Sequence, residues 1–463
     1  MVNQDVIIVG AGPVGLYLGW QLSKRGISVL IIDSNSREKC GSKMDQFHLE
    51  TEVFEKYGIP PPFEDSEEFI TNFEYTSYYG PYGKYQQVMK YPITAMRFQY
   101  FIQRLINLAE SDGIKFSFSC EYKKPIIKDD YLVGITCVVN GSEESFYANL
   151  IVDCSGTSAV VRTSLPKKIG VETFKIEDDE KMYVIQRVIQ WLKPEEPHPG
   201  TGEYEGSISW LYYKTWVAPH FLLNANIFGG GQPGGFENAE KAAEIFLKDF
   251  PFPPYKVLEQ HKATTAYRRS PYSLVGNGFL CLGDSACLSK SFSGEAIESS
   301  WRASLIVIDV IAKLIDQGLE LNRKNMWPIN VNYFRDQGAK LAALLSQIPG
   351  AANTTKNDVT YLFKHNFIFS SRDFSSMWEN LEMEMTFGRL LKIIGLFLWG
   401  LVSRQFSRKA LSTMLKYLKI SGNIRKHYEL FPEDLDGFND WQIKADELWS
   451  HVEKMRYTLE DSI

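Results

Sequence analysis

Gly10, Gly12 and Gly15 in the run Gly10-Ala11-Gly12-Pro13-Val14-Gly15 have the spacing that lets a backbone cradle a pyrophosphate. Gly10 permits a tight turn, Gly12 lets the main chain approach the phosphates, and Gly15 lets a helix pack closely on a strand. The following helix would offer free N–H groups and a positive dipole end to the anion. Asp33, with Ser34 beside it, stands where a carboxylate accepts ribose hydroxyls and disfavours a 2′-phosphate. Further on, Asp284 can accept hydrogen bonds from a polyol chain or cap a helix, and Gly294 and Ala296 would expose backbone N–H groups at a helix start.

The elements that must position these residues are legible around them. Val6–Val9 is a β-branched run of the kind buried on both faces of a parallel sheet. It leads through the glycines into a helical pattern ending at Gly26, and a second strand, Ile27–Ile32, delivers Asp33. The glycines thus stand in a complete βαβ unit, which implies bound FAD or NAD without choosing between them. Three later stretches supply the choice. Thr94–Ile102 enters a helix with Arg97 in its first turn, Ile151–Gly156 runs on to Arg162, and an apolar strand, Gly278–Leu282, delivers Gly283 and Asp284 to its C-terminal end.

Taken in order, the glycine motif, the Arg97 helix, Asp153 with Gly156 and Arg162, and Gly283-Asp284 followed by Gly294-Glu295 resemble the FAD-binding segments of the p-hydroxybenzoate hydroxylase-like flavoproteins. Within that superfamily the chain is most similar to the geranylgeranyl reductase family, through Cys40-Gly41 and Gly294-Glu295-Ala296-Ile297. The resemblance implies an α/β fold (α+β overall): a Rossmann-like FAD domain, a discontinuous antiparallel β-sheet substrate domain and a C-terminal helical region. It implies FAD contacts at Gly10 to Gly15, Asp33, Ser34, Cys40, Gly41, Arg97, Asp153, Gly156, Gly283, Asp284, Gly294, Ala296 and Ile297. Cys40 becomes a candidate proton donor or controller of flavin conformation, or else a small packing residue; Glu295 orients the flavin or a proton-transfer water, or stabilises a helix start. Tyr213, Trp216, Pro219 and His220 are the implied substrate contacts. Trp216 and Pro219 survive from the reductases' YxWxFP motif, with Lys214 and Ala218 at its Tyr and Phe positions. Ser155-Gly156 replaces the hydroxylases' Asp-Gly pair, and Ala159 replaces their Ser.

The implied activity is hydrogenation of C=C bonds in geranylgeranyl chains of isoprenoid lipids, with NAD(P)H or ferredoxin as the external reductant. The alternative is an FAD monooxygenase or halogenase acting on an aromatic or apolar molecule; a flavin protein acting as a lipid-binding or assembly component is the third reading. The bulk numbers fit a multi-domain globular protein: 463 residues, 44% hydrophobic, 23% charged, net charge −6. That charge argues against a general nucleic-acid binder. Six scattered cysteines without a CxxC pair suggest neither a metal site nor a disulfide framework. The apolar N-terminus reads as a buried strand rather than a signal peptide, because Asp5 precedes it and glycines interrupt it.

The expected organisation is a discontinuous FAD domain (1–65, 93–165, 265–345), a substrate domain (66–92, 166–264) and a helical domain (346–463). Residues 73–91 read as a hairpin, Met182–Gln190 and His220–Phe228 as strands, and Gly229–Gly235 as a mobile turn. From Arg389 to Lys426 there are nine basic residues and no acidic one, around an apolar run, 390–402, too short to span a bilayer. Arg404, Arg408, Lys409, Lys416 and Lys419 mark one side of an expected helix. This segment is either a docking face for an anionic membrane or a helical cap on the protein, and the expected location is cytoplasmic and peripherally membrane-associated.

Overall fold

In the computed structural model the described residues are 4–43, 46–81, 84–193, 195–196, 207–211, 220–221, 226–249, 253–291, 293–352, 354–367, 376–377, 379–382 and 385–452. The chain opens with β1 (Gln4–Val9), α1 (Pro13–Ser23) and β2 (Val29–Ile32), the βαβ unit. Val6, Ile7 and Ile8 have no exposed surface, because β1 lies between parallel partners, β2 on one side and β9 (Ser142–Asp153) on the other. Strands β3 (Gln46–Glu50), β4 (Phe69–Tyr79) and β5 (Gln87–Arg97) follow, with α2 (Glu52–Lys56) after β3 and α3 (Phe98–Ser111) directly after β5. Then β6 (Lys115–Ser117), β7 (Cys120–Lys128) and β8 (Tyr131–Val139) lead into β9. Beyond it come β10 (Lys181–Trp191), β11 (Ser207–Leu211), β12 (His220–Phe221), β13 (Asn226–Pro233), α4 (Phe236–Asp249), β14 (Tyr255–Ala266), β15 (Val275–Gly276) and β16 (Phe279–Cys281).

The main sheet runs β15-β16-β9-β1-β2-β6, with the meander β7-β8 continuing from β9. Its strands come from three separated stretches of chain, and Val9, Asp153 and Cys281 stand level at the C-terminal edge of β1, β9 and β16. Two four-stranded sheets fill the insertions, ordered β11-β4-β5-β3 and β12-β13-β10-β14. The hairpin read from residues 73–91 is the β4–β5 pair, and β10 covers the strand read at Met182–Gln190. β3 joins this second sheet by antiparallel pairing with β5. A buried exchange links the two insertions: Gln186 of β10 donates to the Gln46 carbonyl (2.9 Å), and the Gln46 amide donates back to the Gln186 side chain (3.3 Å).

The glycine run departs from its reading as a turn. Residues 229–233 continue β13, with Gly229, Gly230 and Gly231 paired to Gln186, Ile185 and Val184, and only Gly234 and Gly235 adopt positive φ. The ladder to β10 holds the glycines extended against their weak strand propensity. Arg97 also moves: it is the last residue of β5 and caps α3 rather than lying in its first turn.

The rest is helical: α5 (Ile297–Asp316), α6 (Trp327–Tyr333), α7 (Ala339–Ala352), α8 (Lys356–Lys364), α9 (Phe387–Val402), α10 (Arg408–Glu429) and α11 (Phe438–Ser450). Trp301 of α5 has no exposed surface and donates its indole N–H to the Pro13 carbonyl (3.0 Å), locking α5 to α1. Phe431 stacks on Phe334 (4.7 Å) and meets Trp441 edge-on (4.7 Å), which seats the C-terminal helices on the main core. The basic segment is two helices, not one. The chain breaks between Val402 and Arg408, with Arg404 in the left-handed region (φ 58°), so Arg404 lies outside α10.

Gln186→Leu would leave the buried Gln46 N–H and C=O without partners. We expect a loss of about 3 kcal/mol, read as a lowered urea midpoint.

Candidate functional site

The turn after β1 is built as the glycine spacing requires. Gly10 has φ 114°, and a Cβ there would lie 2.4 Å from the Cys154 carbonyl oxygen. A Cβ on Gly15 would lie 2.2 Å from the Gly10 oxygen, so helix and strand touch through it. At Gly12 a Cβ would meet nothing within 4 Å: this residue faces open space at the N-terminus of α1. Pro13 opens α1, and no side chain caps it, which leaves the Val14 and Gly15 amides for a ligand beside Ala11. Asp33 braces the turn by accepting from the Ala11 amide (2.8 Å) and from the Asn35 amide and side chain (2.8 and 2.9 Å). Ser34 beside it is exposed. A Cβ on Gly283 (φ 71°) would lie 3.4 Å from the Val14 side chain, which brings the 283–286 loop onto the same edge.

Asp153 is buried and accepts from four donors of its own loop: the Ser155 amide (3.0 Å) and hydroxyl (2.6 Å), and the Val161 (3.1 Å) and Arg162 (2.8 Å) amides. The Arg162 guanidinium, also fully buried, donates to the carbonyls of Ser285 (2.8 Å), Glu172 (3.0 Å) and Phe174 (2.9 Å). This pair therefore shapes the loop that starts at Gly156 (φ 75°) and ties it to the 283–286 loop.

Asp284 accepts from Thr265 (3.3 Å) and Ser289 (3.1 Å). Burial pushes its carboxyl up to about 6, against the lowering effect of the Ser289 and Thr265 hydroxyls and the Ala266 amide. Gly294 (φ 78°) faces the same Thr265, 3.6 Å from its methyl to a built Cβ, so Asp284, Thr265 and Gly294 form one wall. Ala296 caps α5 without a side-chain hydrogen bond, leaving the amides of Ile297 and its neighbours open. Cys40 is buried, and its thiol points to the Ser36 carbonyl (3.5 Å). Burial pushes that thiol up to about 12; Asp33 adds to the rise and Arg37 opposes it. Gly41 (φ 87°) lies against α3, 2.9 Å from the Gln99 backbone to a built Cβ. The Arg97 guanidinium is exposed and makes no hydrogen bond or ion pair among the described residues.

An ionisable cluster that the sequence reading did not anticipate backs the Gly294-Glu295 loop. Lys290, 1% exposed, lies 3.2 Å from Glu298 and 3.9 Å from Glu50. Glu298 also accepts from Tyr57 (2.6 Å) and Lys56 (3.1 Å), and Tyr91 donates to Glu50 (3.4 Å). His48, two residues before Glu50 on the same face of β3, stands 3.6 Å from Glu295. Burial raises Glu298, but Lys290, Tyr57 and Lys56 outweigh it and bring the carboxyl to about 2. Burial also pushes Glu295 up, and the His48 hydrogen bond with the Lys290 charge overrides it, holding this carboxyl below its ordinary range. Glu50 goes the other way: burial raises it, Lys290 opposes, and Glu295 and Glu298 add to the rise. The signal was present as polar residues at period two in Gln46-Phe47-His48-Leu49-Glu50, and as Lys290, Glu295 and Glu298 around a helix start.

Of the expected substrate contacts, Tyr213, Trp216 and Pro219 lie outside the described residues. His220 is in β12, where its backbone pairs with Ile227.

The family model described as FAD binding domain matches residues 3–199. Over 464 aligned residues, 98% of this chain and 99% of the other, the chain is 22% identical to the digeranylgeranylglycerophospholipid reductase of Sulfolobus acidocaldarius. The enzyme of the same name from Haloferax volcanii is 30% identical over 166 residues, 35% of this chain and 38% of that one. Among solved structures, a geranylgeranyl bacteriochlorophyll reductase-like protein from Thermoplasma acidophilum superposes with a TM-score of 0.69 at 13% identity, over 85% of this chain and 98% of that one. A flavin-dependent brominase superposes with a TM-score of 0.58 at 15% identity, over 85% and 93% of the two chains. These two likenesses show a common fold.

The open space over Gly12, the uncapped starts of α1 and α5 and the unpaired Arg97 fit FAD. Asp284 yields a test with a defined sign. Its folded pKa lies above the unfolded value, so its contribution favours the fold below about pH 4 and is lost as pH rises through about 6. Asp284→Asn should therefore raise the melting temperature of the FAD-free protein at pH 7.5, by no more than about 3 kcal/mol of stability, and the gain should vanish at pH 4. The same variant should bind FAD about tenfold or more weakly by fluorescence titration.

Proposed function

We propose that the chain is an FAD-dependent oxidoreductase of the geranylgeranyl reductase family and saturates C=C bonds in geranylgeranyl chains of isoprenoid membrane lipids. The end-to-end similarity to the Sulfolobus reductase carries this reading, because it extends through the C-terminal helices and far beyond the FAD-binding segment. Bound FAD in its reduced form supplies a hydride equivalent. Gly10 to Gly15 and Asp33 would hold its pyrophosphate and ribose, with Arg97 offering charge, Asp284 accepting from its polyol chain and the α5 start facing its ring. Asp153 and Gly156 would act by shaping their loop. The Cys40 thiol, neutral at ordinary pH and turned to the Ser36 carbonyl, would position the Gly41 turn.

An isolated alkene has no carbonyl to draw off charge, so hydride addition needs a proton delivered to the neighbouring carbon in a water-poor pocket. Anaerobic incubation of the chemically reduced protein with free and lipid-linked geranylgeranyl compounds tests this. We expect a mass gain of about 2 Da for each bond saturated. No gain on any of them, or insertion of oxygen in air, would overturn the assignment.

We further propose that α9 and α10 lie on an anionic membrane. One side of α9 is seated on α8, where Tyr361 donates to the Leu396 carbonyl (2.6 Å) and a Cβ on Gly400 would lie 2.8 Å from the Tyr361 ring. The other side is open: Phe387 is 76% exposed, Trp399 59% and Val402 78%, with Leu391, Ile394 and Leu398 among them. Around this face the chain has basic residues and no acidic one from 389 to 426. Among the described residues no helix is long and apolar enough to cross a membrane. An apolar face framed by bases suits a helix lying in the interface, at about 1 kcal/mol per well-placed base. Vesicles containing phosphatidylglycerol should sediment the full-length protein at low salt, and K409E/K416E/K419E should weaken this by about 100-fold. A wild-type protein that ignores such vesicles would sink the idea.

A further inference from the structure

The buried cluster behind Glu295 has an unbalanced charge count. Glu50, Glu295 and Glu298 bring three carboxylates and Lys56 and Lys290 two ammonium groups, with His48 as the neutral or charged sixth member. A net charge in so poorly hydrated a place is costly, and one more proton removes it. Glu50 is the carboxyl of the three that burial carries above its ordinary range, with Lys290 opposing, and His48 stands 3.6 Å from Glu295. Tyr57 and Tyr91 donate to the cluster, Glu52 and Glu379 add negative charge near Tyr91, and Arg302 adds positive charge near Tyr57.

Its two ends differ. Lys56, 38% exposed, reaches solvent beyond Glu298. Glu295, 30% exposed, opens on the loop whose Gly294 faces Thr265, which in turn donates to Asp284. Between these ends, Lys290 at 1% and Glu298 at 7% exposure are shut from water. We propose that this array stores one exchangeable proton and relays it, from the Lys56 side through Glu298, Lys290 and Glu50 to His48 and Glu295, toward the reacting alkene.

The inference rests on the reductase reading. Saturating one C=C bond takes two electrons and two hydrogens. One hydrogen arrives as hydride with the electron pair, the π bond breaks, and the second C–H bond forms with a proton that must come from an acid. A pocket filled by an isoprenoid chain excludes water, so that proton needs a route through the protein. The array supplies such a route from its Lys56 end, which reaches solvent, and its acid is then replenished from there.

The competing account is purely structural, an ion pair that fixes β3 and α2 to α5. Glu50→Gln and the double variant K290M/E298Q separate the two, since the first removes a carboxyl and keeps the Lys290–Glu298 pair, and the second removes that ammonium and carboxylate together. Each should fold with bound FAD. Mixed in single turnover with a geranylgeranylated lipid, the reduced variants should reoxidise about 100-fold more slowly than wild type, with an enlarged solvent deuterium effect. The pH at which the flavin potential changes slope, measured by spectroelectrochemistry without substrate, should shift in both. Wild-type single-turnover rates together with an unchanged potential–pH profile in Glu50→Gln would overturn the relay, even if the double variant did not fold. A wild-type protein inert toward every geranylgeranyl lipid would instead overturn the reductase reading, while the potential–pH profile would still decide whether the array stores a proton.

Discussion

The site depends on one buried carboxylate, Asp153, at the C-terminal edge of the central sheet. Its four hydrogen bonds are all made within residues 153–162, and its backbone carbonyl accepts from the Leu282 amide (3.0 Å) and the Ser285 hydroxyl (2.6 Å). The next residue, Cys154, donates its amide to Val9 (2.9 Å) and forms the surface against which Gly10 and Gly15 pack. Three loops that are distant in sequence thus meet within bonding distance of two residues. A carboxyl group with no exposed surface is tolerable because its own loop satisfies it with four donors, and this fixes the loop in one shape. The glycines are required for the same reason: any side chain at Gly10 or Gly15 would occupy the place of the Cys154 or Gly10 carbonyl.

Much of this was legible in the sequence because the chemistry is local. Strand, glycine turn, helix and Asp33 are consecutive, and each residue type has one job in that motif. The strand that delivers Gly283 and Asp284 and the β4–β5 hairpin could be read from short-range pattern as well. What escaped were arrangements made by distant partners. Gly229–Gly231 carry turn propensity, yet β10 holds them in a strand, and no local signal reports that ladder. Arg97 was displaced by a single residue, the usual uncertainty where a strand runs directly into a helix.

The ionisable cluster left only two separate local signals for the same reason. His48 and Glu50 come from β3, Lys56 from α2, and Lys290, Glu295 and Glu298 from a stretch about 240 residues later. In isolation Glu298 reads as an acid in the first turn of a helix, and Lys290 as an ordinary surface base. Only folding puts Lys290 between two glutamates with 1% of its surface left. The ring contacts of Trp327, Phe334, Tyr428, Phe431 and Trp441 likewise join separated stretches of chain and fasten the C-terminal helices to the core.

Charge is handled in opposite ways at the two ends of the molecule. In the interior, acids and bases are interleaved at 3–4 Å, a spacing at which each sets the protonation of the next and no member titrates alone. Along α9 and α10 the run from 389 to 426 carries nine bases and no acid beside apolar side chains left in the open, and near its end Arg425 pairs with Glu382 and Glu429. A protein of net charge −6 that keeps one apolar face free of acids retains there a positive field that its own average charge would otherwise cancel. On the proposals made above, the interior arrangement holds a proton and the exterior one meets an anionic surface, and an enzyme that protonates a carbon of a membrane lipid has use for both.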